Sequence, residues 1–338
     1  MTFKDTYILR VWDTAAPQIV GTGEVALFAG LSAEDEPGFE TKLNTVANDI
    51  DHYVAFSPNE KKYKLVTTTL CSSLYFGLET VVANLNMAVA AGKTTSKIFP
   101  SSFTSGKTSI PINGLVWMGR YEEMLERIDR KLAEGFDVIK IKIGGIDFDE
   151  EVKLLDYIRG RWGSDKVTLR LDANCSFSRY SFNEAMHKLK ILAEYGIHSI
   201  EQPFAVGDIS LTRRAVSSGV IPIALDEQLI GVTDNRSKRR LLEEIAPQYI
   251  VLKPSLCGGF EHTSAWIAAA REMGIGWWIT SALESAIGLN AIAQYVGVLA
   301  DTFSCNKLMP QGLGTGELYM NDFPASVLRQ GPLLYFNG

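Results

Sequence analysis

Five apolar runs in this chain each carry an ionisable side chain near their C-terminal end, and the runs recur every 25–30 residues. They read IKIKIG with Lys140 and Lys142, LRLDAN with Asp172, SIEQPF with Glu201, IALDEQ with Asp226 and Glu227, and IVLKPS with Lys253. Runs this short fit strands. Each interval holds one strand, one helix and their turns, so each charged residue takes the same place in successive βα units. Parallel strands are covered on both faces and normally read as unbroken apolar runs. Charge inside them is costly unless it is paired. A single Asp or Lys at a strand end is ordinarily a cap or a surface ion pair. Five at matched positions point to one shared site, because the C-terminal strand ends of a (β/α) barrel converge on one mouth.

The rest of the chain fits that plan. Strand-like runs lie at Ile112–Met118, Val138–Ile143, Val167–Ala173, Ser199–Phe204, Ile221–Asp226, Tyr249–Pro254 and Trp277–Ala282, with helical stretches such as Tyr121–Glu134, Phe148–Arg161, Ser181–Tyr195 and Glu261–Met273 between them. Seven strands with helical crossovers predict parallel pairing. At this length a modified TIM barrel is favoured over an open doubly wound sheet, which the same alternation would also satisfy. The first hundred residues differ. Tyr7–Trp12 and Ile19–Leu27 alternate as strands, and Phe39, Leu43, Val46, Ile50 and Tyr53 mark one face of a helix. A second helix is expected over about Leu65–Ala90. Strands followed by helices without interleaving predict a small α+β domain over residues 1–98, joined through the Ser-, Thr-, Gly- and Lys-rich stretch Gly92–Pro111 to a barrel domain over 99–309.

Composition narrows the class. The chain has 338 residues, 46% hydrophobic and 21% charged, with a formal net charge of −6. No basic face is available for a phosphate backbone, so nucleic acid is excluded as the expected partner. Cys71, Cys175, Cys257 and Cys305 lie far apart, as expected of reduced thiols in a cytoplasmic protein. Charges interrupt Met1–Arg10, leaving no signal peptide there. The apolar stretch Leu65–Ala91 contains Glu79, Asn84 and Asn86, as a core helix would and a membrane span would not.

The chemistry of the shared site follows from its charges. Two carboxylates ~4 Å apart repel by roughly 4 kcal/mol at an effective dielectric of about 20, so three require a cation. A hard divalent ion with oxygen ligands meets that need, and Mg²⁺ is the expected species, with Mn²⁺ as a substitute. His52, His187, His198 and His262 fall outside the strand ends, which argues against zinc. Lys140 and Lys142 are two apart on a strand and share a face. Burial, a neighbouring ammonium and a nearby metal would each lower a lysine pKa toward that of a working base. Lys253 would face the ligand from three strands further round. A Schiff-base aldolase also uses a strand-end lysine but needs neither the carboxylates nor a metal, and a binding scaffold needs none of these groups. Gly312, Gly314 and Gly316 do not sit between a strand and a helix, so they read as a turn-forming segment and not as a phosphate loop.

Taken together, the K-x-K at Lys140–Lys142 with Asp172, Glu201, Asp226 and Lys253 in that order resembles the enolase superfamily, in its muconate-lactonizing subgroup. Within the subgroup, PINGLVWMG at Pro111–Gly119, LRLDANCSFS at Leu169–Ser178, KPSLCGG at Lys253–Gly259, TSALESAIG at Thr280–Gly288 and PQGLGTG at Pro310–Gly316 are most similar to the o-succinylbenzoate synthase family. The resemblance implies a (β/α)7β-like barrel under an N-terminal capping domain, with residues 310–338 packing back on that domain. It implies Asp172, Glu201 and Asp226 as Mg²⁺ ligands, Lys142 as the proton-transfer residue and Lys253 as the opposing lysine. Lys140, Asn174 and Glu227 would support the site, and Ser281 and Glu284 would lie near the substrate. The implied activity is a hydro-lyase step of menaquinone biosynthesis on a small-molecule carboxylate, by a cytoplasmic enzyme with no membrane partner; homo-oligomerisation stays open. An N-succinylamino acid racemase would use the same two lysines and remains the alternative. Dipeptide epimerases carry a D-x-D pair near the seventh strand that Thr280–Ser285 lacks. Family members also begin with an additional strand and a mobile loop that closes over substrate. Tyr7–Trp12 reads as the second strand, so the expectation is either that the true start lies upstream or that the first strand and part of the lid are missing.

Overall fold

A computed structural model describes residues 4–66, 70–303, 308–316, 318 and 323–338; Cys305 lies outside the described residues. The N-terminal part holds a hairpin of β1 (Tyr7–Trp12) and β2 (Val20–Val25), helix α1 (Phe39–Asn48), a second hairpin of β3 (Val54–Ser57) and β4 (Lys62–Leu65), and helix α2 (Ser72–Ala91). Helix α1 buries Phe39, Leu43 and Val46, the face that the spacing marks, and these join Val25, Leu74, Leu78 and Val81 in a core of their own. The second hairpin ends at Leu65, where the sequence pattern begins a helix. A turn through left-handed Lys61 (φ 53°) reverses the chain, Phe56 packs on Tyr63 across it at 5.2 Å, and the Asn86 amide of α2 engages both the N–H and the C=O of Tyr63. Those contacts make Lys62–Leu65 a strand and delay the helix to Ser72.

The barrel follows a short strand, β5 (Ile110–Pro111). Its units run β6 (Gly114–Val116), α3 (Tyr121–Ala133), β7 (Val138–Lys142), α4 (Phe148–Arg159), β8 (Thr168–Asp172), α5 (Phe182–Ala193), β9 (Ser199–Glu201), α6 (Ile209–Ser218), β10 (Ile223–Leu225), α7 (Asn235–Ile245), β11 (Tyr249–Leu252), α8 (Pro254–Cys257), α9 (Gly259–Glu272), β12 (Gly276–Ile279) and α10 (Ala286–Phe303). Strands β6 to β12 form one parallel seven-stranded sheet in sequence order. Parallel bridges from Ile112 to Gln311 and from Thr280 to Gly312 place residues 311–312 between the sheet's two edges, where an eighth strand closes the ring. Registers bring Lys140 opposite Arg170, Lys142 opposite Asp172, and Asp172 opposite Glu201. Because side chains alternate along a strand, all five point to one face.

The last strands, β13 (Val327–Gln330) and β14 (Leu333–Phe336), pair with each other and β14 pairs with β5. Val327 and Leu334 are buried in the larger core cluster, which is built mainly from barrel residues. The hairpin's alternating apolar residues complete an edge that β5 leaves open. Helices α2 and α10 are long and apolar enough to cross a membrane, but 56% and 72% of their apolar windows are buried inside the fold, which makes them core helices.

Candidate active site

The ends of β7 to β12 bring the sequence-marked residues together. Lys140 Nζ lies 2.7 and 2.8 Å from the two Glu201 oxygens and 2.8 Å from Asp172 Oδ2. Lys142 Nζ donates to Asp172 Oδ2 at 2.9 Å and to Asn174 Oδ1 at 2.6 Å, and lies 5.0 Å from the centre of the Trp117 ring. Lys253 pairs with Asp226 from across the opening. Asn174, held at φ 40°, donates its amide to Glu227 Oε1 at 2.9 Å. Asp172, Glu201 and Asp226 are each 1% exposed, so they sit beneath the floor of the mouth and not on the surface.

Lys140, Lys142, Asp172, Asn174, Lys253 and Ser281 line one cavity. Glu201 and Asp226 stand behind the lysines, and Glu284 stands behind Ser281, whose hydroxyl it accepts at 2.6 Å. Sequence reasoning did not single out Trp117 and Thr315, nor Phe28 and Leu31, which reach the same cavity from the capping domain. Trp117 was legible in principle, since it follows the first barrel strand. Phe28 and Leu31 lie in a loop whose docking depends on tertiary contacts. Arg170 was also missed, although it lies two residues before Asp172 on the same face. Its guanidinium fills the barrel interior over Trp278 at 4.1 Å and donates to Pro310 O at 2.8 Å.

The electrostatics differ from expectation in one respect. Burial alone would lower the Lys140 and Lys253 ammonium groups, but the charges of Asp172 and Glu201 on one, and of Asp226 and Glu227 on the other, hold both above the ordinary lysine range. The adjacent carboxylates outweigh desolvation. Burial pushes Glu201 and Asp226 up, reinforced by Asp172 and Glu227 respectively. Burial would raise Asp172 too, but Lys140, Lys142 and Lys253 pull it below the usual carboxylate range.

The donor set suits a hard cation: oxygens alone on successive strand ends, with Glu227 Oε2 buried and lacking a hydrogen-bond partner. Among the described residues no three acidic, histidine or cysteine side chains are spaced to share an ion, because the lysines lie on the carboxylate oxygens. An arriving ion would exchange places with ammonium groups.

Known proteins share this fold. Residues 123–322 match the family described as enolase C-terminal domain-like. The chain is 39% identical to o-succinylbenzoate synthase of Desulfotalea psychrophila, over 93% of this chain and 88% of that protein. It superposes on the crystal structure of MenC from Desulfotalea psychrophila with a TM-score of 0.80 at 36% identity, over 98% of this chain and 94% of that one. The muconate lactonizing enzyme of Pseudomonas putida shares the fold at a TM-score of 0.73 and 18% identity, over 98% and 89% of the two chains. Members of this superfamily generally use a divalent metal ion. The family match over residues 123–322 and the 39% identity over 93% of the chain make this protein a member of the enolase superfamily and, within it, of the o-succinylbenzoate synthase family.

Proposed function

We propose that the enzyme dehydrates 2-succinyl-6-hydroxy-2,4-cyclohexadiene-1-carboxylate to 2-succinylbenzoate and water in menaquinone biosynthesis, with Mg²⁺ as its ion. The observation that carries this reading is that Lys142 and Lys253 line the same cavity from strands β7 and β11. Asp172, Glu201 and Asp226 would hold the ion, which when bound supplies Lewis-acid charge at the substrate carboxylate. Lys142, as the free amine, takes the proton from the carbon bearing that carboxylate. The bond from ring carbon to hydroxyl then breaks, and the departing hydroxide leaves as water with a proton from Lys142. Lys253 remains an ammonium across the cavity and balances the negative charge that develops between the two events. Asn174 keeps the Lys142 amine aimed through its 2.6 Å contact. The product ring is aromatic, so the step runs forward.

The racemase alternative shares the first proton transfer and both lysines. Two assays separate the readings. Loss of the diene absorbance on adding Mg²⁺, abolished by EDTA and restored by Mg²⁺, supports dehydration. Deuterium uptake at the α-carbon of N-succinyl amino acids in D₂O, without loss of the diene, supports racemisation. The free thiols of Cys71, Cys175 and Cys257 support placement in a reducing compartment, the cytoplasm.

A further inference from the structure

The segment after β12 forms one wall of the cavity through Ser281, Ala282 and Leu283, and its backbone is strained: Leu283 sits at φ 62°, a region that leucine rarely occupies. Within the loop, Leu283 N donates to Ser281 Oγ at 3.0 Å, and Glu284 accepts from Ser281 Oγ at 2.6 Å and Ala282 N at 2.8 Å. Two groups from the other domain then grip the same segment. Lys4 Nζ donates to Ala282 O at 3.1 Å and Leu283 O at 3.0 Å. Glu24, fully buried on β2, accepts from Ser285 N at 2.9 Å, Ser285 Oγ at 2.6 Å and Gly288 N at 2.9 Å. A cation thus holds the carbonyls of the loop, and an anion holds the amides that open α10, the helix end that favours negative charge.

The approach of Glu24 depends on a missing side chain. A Cβ at Gly288 would lie 2.6 Å from Glu24 Oε2. The neighbouring barrel helix shows the same device with a different consequence. Glu79 of α2 accepts from Phe260 N and Glu261 N at the start of α9, where a Cβ at Gly259 would lie 1.9 Å from Glu79 Oε2. Glu79 thereby ties the two domains together without touching the Ser281–Ser285 loop.

We infer that Lys4 and Glu24 are positioning residues that clamp the Ser281–Ser285 loop in its strained, substrate-facing shape, so that docking of the capping domain sets substrate affinity. The inference rests on the proposed dehydration for its kinetic consequence alone. Glu24→Gln keeps the size of the side chain but replaces one acceptor oxygen with a donor, and Lys4→Met removes the ammonium while keeping much of the stem.

The test measures three quantities in the full-length enzyme for Glu24→Gln, Lys4→Met and Glu79→Gln. Loss of the Glu24 acceptor or of the Lys4 donor raises the KM for the diene about tenfold in the first two variants, with kcat changed by less than about threefold. Mg²⁺ affinity by calorimetry stays at the wild-type value, and hydrogen exchange quickens at the amides of residues 281–288 but not in β8 and β9. Glu79→Gln leaves KM and that exchange unaltered. Wild-type KM and exchange in both clamp variants would overturn the inference, as would an equal KM rise in Glu79→Gln, which would mean general loosening between domains. If Glu24→Gln does not fold, Lys4→Met decides alone. Should the wild-type enzyme fail to dehydrate the diene, the proposed activity falls, while exchange at 281–288 still tests the clamp.

Discussion

Lys140 and Glu201, far apart in sequence, meet head-on at the floor of the mouth, with the Lys140 ammonium within 2.8 Å of both Glu201 oxygens and of Asp172. One buried cation is thus shared by two buried carboxylates that would otherwise repel. Removing it by Lys140→Met leaves Glu201 without its close cation and Asp172 with Lys142 alone, at a cost of about 3–5 kcal/mol in metal-free protein. A divalent ion that binds the same oxygens should return much of that loss. The rise in Tm on adding Mg²⁺ will therefore be larger in Lys140→Met than in wild type, read by calorimetry after dialysis against EDTA. An equal rise in both proteins would mean that the ion does not bind at these oxygens.

Lys142 lines the cavity together with Lys140 but touches a single carboxylate, Asp172, beside Asn174. On the proposed mechanism its truncation removes the group that carries the proton out and back. Lys142→Ala should lower kcat by about 10²–10⁴, the span that general acid–base groups supply, with Tm near the wild-type value. Single-turnover loss of diene absorbance at saturating Mg²⁺ checks this, and near-normal turnover would move the proton transfer to another residue.

Much of this was legible in the sequence because buried charge is conspicuous. Asp172, Glu201 and Asp226 interrupt runs that physics otherwise keeps apolar, and their spacing alone predicted that they would share a rim. The seven parallel strands followed from the same runs, within a few residues at each end. What escaped the reading depends on contacts distant in sequence. The β3–β4 hairpin needs Asn86, from the following helix, to hold Tyr63. The C-terminal hairpin finds its partner at Ile110–Pro111, a dipeptide too short to register as a strand. Lys140, like Lys142, was expected to have a lowered pKa, yet local sequence does not report that it would meet two acidic groups in the fold.

Gly312 closes the barrel at the place where flexibility matters least and space matters most. A Cβ there would stand 2.2 Å from Thr280 Oγ1, while the Gly312 N–H donates to Ile279 O at 2.8 Å and its C=O accepts from Ser281 N at 3.0 Å. Gly312→Ala must push Thr280 or the backbone aside, at a cost of about 1–3 kcal/mol. Because Ser281 hangs from the same carbonyl, KM should rise along with the fall in Tm. A variant that loses stability at unchanged KM would show that the closure and the substrate loop are mechanically independent.

His198 gives the fold a marked acid limb. It enters β9 at the floor of the barrel, its ring stacked on Tyr249 at 4.6 Å and edge-on to Trp278. Burial, with the charge of Arg170 added, pulls its pKa down to about 4 from 6.5. A histidine whose folded pKa is depressed binds protons more readily in the unfolded chain, so its neutral form stabilises the fold above about pH 6.5, and that stability is lost as pH falls toward 4. His198→Phe keeps a ring for Tyr249 and removes the titration. The variant should therefore lose less Tm than wild type between pH 6.5 and 4 and follow it closely above pH 7, when both are scanned in the same buffers at fixed ionic strength. Parallel curves across that interval would place the acid limb elsewhere, with the rim carboxylates as the next groups to examine, since protonating Asp172 releases the lysines that hold it.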